Sequence, residues 1–149
     1  MFLGEYQTKF SGKGRIILPR KIRLELKGRE IILSRGFEGC IWGFDFKDFE
    51  KEAKKQLEIS ATEERARYLR RYLFSGSQSV ELDAQGRIII PSALLDFASV
   101  KGDVAIIGAG DHFEIWNSQI WKKHLKEISR DYGRTRHERS RRISQARSS

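Results

Sequence analysis

Cysteine is almost absent: Cys40 stands alone, so no disulfide can form within the chain. The three histidines, His112, His124 and His137, are scattered. With one cysteine they offer no metal-ligand spacing, so neither metal nor cofactor is expected. Gly-x-Ser-x-Gly, His-Glu-x-x-His and a phosphate-binding loop are all missing. Gly12-Lys13-Gly14 lacks the spacing and the following helix of such a loop. Without a nucleophile and base constellation, an enzyme is not expected. No run of about 18 apolar residues occurs, so no membrane span is expected. Met1-Phe2-Leu3-Gly4-Glu5 has neither a basic region nor a long apolar one, which argues against a secretory signal. Together these absences give a cytoplasmic expectation.

Acidic residues are also outnumbered. Against 20 Asp and Glu stand 29 Lys and Arg, a net charge of +9. A small protein this basic usually meets a polyanion, either nucleic acid or an acidic membrane surface. A solubilising charge is the simpler alternative.

The chain repeats itself. Phe10-Ser11-Gly12-Lys13-Gly14-Arg15-Ile16-Ile17-Leu18-Pro19 is echoed by Leu82-Asp83-Ala84-Gln85-Gly86-Arg87-Ile88-Ile89-Ile90-Pro91, offset by 72. Gly28 and Ile41-Trp42 return as Gly102 and Ile115-Trp116, offset by 74. Each copy reads as a strand (about Glu5–Phe10; about Ser79–Leu82), a glycine turn, and a buried β-branched strand that a proline ends. Pro19 and Pro91 then open short helices, the first running to about Lys27 before Gly28. Two strands follow, Glu30–Ser34 and Cys40–Phe44 in one copy, Val104–Ile107 and Phe113–Trp116 in the other. Asp45 can cap a helix over about Phe46–Ile59. Ser60-Ala61-Thr62-Glu63 has the form of a capping box for a second helix reaching about Phe74. Asn117 or Ser118 caps a last helix through about Ile128. The order β-turn-β-α-β-β-α therefore occurs twice.

From Arg130 onward arginines dominate: Arg130, Arg134, Arg136, Arg139, Arg141, Arg142 and Arg147. Apolar residues are too few to offset ordering entropy, so 130–149 reads as a mobile basic tail. Such a tail either adds salt-sensitive affinity for nucleic acid or only solubilises. Arg65, Arg67, Arg70 and Arg71 read most simply as a solvated helix face.

Glycine turns let a backbone approach a partner closely. Arginine's fork matches guanine O6 and N7, and a two-stranded ribbon fits the major groove. Arg15 and Arg87, each just beyond a turn glycine (Gly14, Gly86), are therefore the leading DNA contacts. Lys13 supplies a phosphate contact in the first turn, where Gln85 stands in the second. Asp83 can accept turn amides or hold Arg87, a positioning role. An ordinary hairpin closed by an Asp–Arg pair is the structural alternative.

At these residues the chain resembles the MraZ family of bacterial transcription regulators, with two SpoVT-AbrB halves. The family's hallmark is a duplicated Asp-x-x-Gly-Arg-(aliphatic)3-Pro block carrying Asp-x-x-x-Arg. Asp83 to Arg87 matches it in full. Met1-Phe2-x-Gly4, Arg65 to Leu73 followed by Ser75-Gly76, and Phe113-Glu114-Ile115-Trp116 resemble further landmarks. The similarity spans roughly Met1 to Ile128. Copy one departs from it: Ser11 stands in the aspartate's place, able to bond locally but without charge to pair with Arg15.

The resemblance implies an α+β fold of duplicated, β-barrel-like halves with swapped hairpins, a pseudo-twofold and flanking helices. The halves would be 1–76 and 77–129, with the tail at 130–149. It further implies a nucleoid-associated homo-oligomeric ring that binds double-stranded promoter DNA. The sites would be short G-rich direct repeats ahead of the chain's own operon of division and cell-wall genes, with repression as the outcome. An AbrB-like antitoxin or adaptor with a protein partner is the competing class, and Trp42, Trp116 and Trp121 could anchor such an interface. Core packing is the simpler role for these tryptophans.

Overall fold

The two copies of the repeated tripeptide lie against each other. In the computed structural model, β2 (Arg15–Ile17) pairs antiparallel with β6 (Arg87–Ile89), Ile16 facing Ile88 at the centre. The ribbon extends one residue further at each end. Leu18 N donates to Gly86 O at 2.9 Å, and Ile90 N donates to Gly14 O at 2.8 Å. The structure describes residues 1–148, and of the side chains all but those at 134–140, 142 and 144–148.

The remaining strands form one antiparallel sheet of six. They are β1 (Glu5–Lys9), β3 (Glu30–Arg35), β4 (Ile41–Asp45), β5 (Gln78–Glu81), β7 (Asp103–Gly108) and β8 (Phe113–Asn117). Their order is β1-β7-β8-β4-β3-β5. Each repeat's first strand therefore pairs with a strand of the other repeat: β1 lies on β7, and β5 lies on β3. Residues 1–118 form one unit in which the strands of both repeats interleave. With the five helices this is an α+β architecture.

The core follows from the pattern. Ile16, Leu18 and Ile22 are buried, as are their counterparts Ile88, Ile90 and Leu94. β3 and β7, each one in from an edge strand, bury four consecutive residues, Ile31–Ser34 and Val104–Ile107. Such continuous burial marks strands covered on both faces. Cys40 is buried, and burial raises its thiol pKa far above the ordinary value.

Helix ends depart from the sequence reading in three places. α1 covers only Arg20–Arg23, because single turn-type bonds such as Leu26 N to Arg23 O replace the helix before Gly28. α2 (Phe46–Glu58) starts at Asp45 as expected. α3 (Glu64–Ser75) begins without the capping box. The Ser60 hydroxyl instead meets Thr62 Oγ1 at 2.8 Å, a nearer partner. α4 spans Ser92–Ala98. α5 runs Ser118–Ser148, so the backbone of the supposed mobile tail is helical. Its many arginines are helix formers, and no proline follows Pro91 to stop it. The side chains of Arg134, Arg136, Arg139, Arg142 and Arg147 lie outside those described.

Asp45 ties two elements to the sheet. Its Oδ2 accepts from Lys47 N at 3.1 Å, capping α2, and its Oδ1 accepts from Lys27 N at 2.7 Å. The residue is buried. Asp45→Ala removes the cap and leaves the Lys27 amide without its acceptor. A loss of about 2 kcal/mol is expected, read as a lower urea midpoint.

Candidate nucleic-acid interface

The second turn is held from within by one carboxylate. Asp83 Oδ1 accepts from the amides of Gln85 at 2.8 Å and Arg87 at 2.9 Å. Asp83 Oδ2 accepts from Arg87 Nε at 2.9 Å. The bend closes through Gly86 N to Asp83 O at 3.1 Å, and Gly86 sits at φ +78°. This pair is too exposed to add much stability. Its effect is orientation. By engaging Nε it directs the guanidinium, and among the described residues neither Arg87 Nη nitrogen is bonded. Those two nitrogens form the edge that pairs with guanine O6 and N7.

The first turn has another conformation. Ser11 Oγ does not accept the turn amides; it donates to Arg15 O at 3.1 Å. Lys13 and Gly14 both take positive φ, +71° and +77°. A lysine there is costly by about 1–3 kcal/mol. Among the described residues no carboxylate pairs with Arg15. Lys13 is exposed and Arg15 half-buried. The aspartate-to-serine change thus leaves the first arginine without the brace its counterpart has.

β2 and β6 carry both arginines on one face. Residues of one parity point outward: Arg15 and Ile17 on β2, Arg87 and Ile89 on β6. Arg15 faces Ile89 and Ile17 faces Arg87, so the outer face is a checkerboard of two guanidiniums and two isoleucine side chains. Ile17 and Ile89 are 53% and 52% exposed. The β-branched residues after each arginine point to a buried strand, but of the two isoleucines in each strand only the central one, Ile16 or Ile88, is buried.

Arg23 is a neighbour that the sequence reading missed. A Cβ built on Gly86 would come within 2.6 Å of Arg23 Nη1, whereas the one on Gly14 would meet Ile90 O at 2.9 Å and Leu95 Cδ1 at 3.5 Å. Arg23 Nε donates to Leu18 O at 3.0 Å, which fixes the guanidinium over the second turn. The offset of 72 places Leu95 opposite Arg23, so the asymmetry was visible in the repeat. Both turn glycines are buried under these atoms and exclude a larger residue.

The tryptophans mostly pack. Trp116 is buried, and its Nε1 donates to Glu114 Oε1 at 3.0 Å. Trp42 is half-buried and lies edge-on to Phe37 and Phe44.

A family model described as "MraZ protein, putative antitoxin-like" matches residues 1–72 and again 73–142. The chain belongs to the MraZ family. Relatives named "Transcriptional regulator MraZ" include one from Dictyoglomus turgidum, 42% identical over 85% of this chain and 86% of that protein. Another, from Halothermothrix orenii, is 38% identical over 89% of this chain and 92% of its own length. A third, from Saccharopolyspora erythraea, is 38% identical over 93% and 96%. A solution structure from Pyrococcus horikoshii covers 77% of this chain and 88% of its own at 20% identity, with a TM-score of 0.32. The break between the two family matches falls within α3, shortly before β5, where one repeat gives way to the next.

Asp83 gives this MraZ-family turn a pH dependence. The Arg87 amide it accepts, then the Arg87 guanidinium and the Gln85 amide, hold its pKa below the ordinary carboxylate value against partial desolvation. A depressed folded pKa means the contribution is complete above the unfolded value and disappears as pH falls through the folded one. Acidification through that range should therefore release the Gln85 and Arg87 amides, seen as lost hydrogen-exchange protection. The first turn, which has a serine in place of the carboxylate, should show no matching step. Equal loss in both turns would contradict the assignment.

Proposed function

We propose that this chain is a sequence-specific DNA-binding transcription regulator whose two turns present Arg15 and Arg87 to a duplex groove. One observation carries the reading: both arginines stand on the outer face of a single two-stranded ribbon. That is the element whose width suits the major groove. Lys13 approaches phosphate; Gly14 and Gly86, named with it from the sequence as contacts, are buried and shape the bends instead, while Asp83, and less effectively Ser11, position the turns. The relatives' shared name as transcriptional regulators supports the same function class.

In this reading the exchanged strands form swapped-hairpin, barrel-like halves about a pseudo-twofold. Copies assemble into a ring on G-rich direct repeats ahead of the chain's own operon and repress it from the nucleoid. Several ring contacts on repeated boxes would act at high effective concentration, so modest single contacts suffice. The segment 130–149 adds sequence-blind affinity. The description "putative antitoxin-like" keeps a protein partner as the competing reading.

Binding to the DNA just upstream of the chain's own coding region separates these readings. Arg15→Ala or Arg87→Ala should cost about 1–3 kcal/mol of specific binding, with the fold intact. Removing 130–149 should instead lower affinity for all sequences and flatten the salt dependence by about 0.9 for each phosphate no longer neutralised. Unchanged affinity in both arginine variants would remove the DNA reading and favour the protein partner.

A further inference from the structure

The outer face of the ribbon holds more than charge. Ile17 and Ile89 are each about half exposed, and they are diagonal neighbours on the same face as Arg15 and Arg87. Diagonal positions on an antiparallel pair lie about 7–8 Å apart, so the four side chains form one small patch. Large apolar side chains in the middle of a cationic face need an occupant that offers both negative charge and apolar groups at close range.

We infer that Ile17 and Ile89 are specificity-determining residues that read the 5-methyl groups of thymine beside the guanines taken by Arg15 and Arg87. This rests on the DNA-binding reading above and adds the class of base recognised at two further positions. In the major groove a thymine presents one apolar group, its methyl, and short apolar side chains recognise it by contact. The checkerboard register sets each isoleucine directly across from an arginine of the opposite strand. An arginine seated on a guanine therefore carries an isoleucine to a neighbouring base step.

A second copy of the chain fits this patch poorly. Two such faces meeting about a twofold would bring four guanidiniums together, and among the described residues Arg87 is paired with a carboxylate while Arg15 is not. Like charges at close range oppose that contact. A duplex supplies the anions that this face lacks.

The test uses the duplex from just upstream of the coding region, synthesised either with thymine or with uracil throughout. Uracil lacks only the methyl. The unaltered protein should bind the uracil duplex about fourfold more weakly for each methyl that an isoleucine would otherwise cover, the effect of leaving one such group unburied. The Ile17→Ala/Ile89→Ala variant should bind the thymine duplex more weakly and no longer distinguish the two. Ile17→Val/Ile89→Val, a milder change, should keep part of the discrimination if the alanine pair proves unstable.

Equal binding of both duplexes by the unaltered protein overturns the inference and leaves the DNA-binding reading standing. Full discrimination by the alanine variant overturns it too, because the methyl is then read elsewhere. A changed oligomeric state with discrimination retained would make the patch a subunit contact instead. Failure of the unaltered protein to bind either duplex would remove both readings.

Discussion

The pairing of β2 with β6 about Ile16 and Ile88 is the constraint on which the site depends. It buries the two central isoleucines and the aliphatics just beyond them. It also fixes everything on the other face, because a strand's side chains alternate with period two. A slip of one residue would bury the arginines and expose the core. Burial of Ile16, Leu18, Ile88 and Ile90 is thus what holds Arg15 and Arg87 outward. The site has no framework of its own; it is the solvent side of a core pairing.

Equal strands do not make equal turns. The backbone hydrogen bonds that close the ribbon are matched at both ends, 2.9 Å at one and 2.8 Å at the other. The difference lies outside them, in what residue 11 or 83 can accept. A carboxylate takes two amides and a guanidinium at once. A hydroxyl has one proton to give, and here it gives it to a carbonyl. Without an acceptor the first bend moves Lys13 into the left-handed region. In the proposed DNA-binding reading, the braced arginine has its free edge set in advance, while its counterpart settles its geometry on binding and bears that entropy cost at the moment of contact.

Much of this was legible in the residues. The repeat, read at an offset of 72, located both turns, both arginines and the strands on either side, because glycine, proline and β-branched residues act locally. The cap at Asp45 was legible for the same reason. What was not legible is nonlocal or competitive. No local signal says that β1 pairs with β7 and β5 with β3. The half-exposure of Ile17 and Ile89 depends on what packs over the ribbon's outer face, which composition does not record. At Ser60 the capping pattern was present, but a nearer hydroxyl won. In α5 the scarcity of apolar residues argues for a mobile chain, while the helix propensity of its arginines, with no proline to stop it, carries the backbone past Gly133 to Ser148.

The exchange of strands has a consequence for how the two turns act. Because β1 lies on β7 and β5 lies on β3, neither repeat can move without breaking pairs in the other. Within one chain the distance between the arginines is therefore set by the ribbon, about that of two diagonal positions in a sheet. In the proposed DNA-binding reading, adaptation to DNA of varying shape cannot come from shifting one half against the other. It must come from the guanidiniums themselves, from the looser first turn, or from how separate copies are spaced along the duplex. In that same proposed reading, the unbraced Arg15 is then the point in each chain where the protein yields to the groove, and the braced Arg87 is the point where the groove must fit the protein.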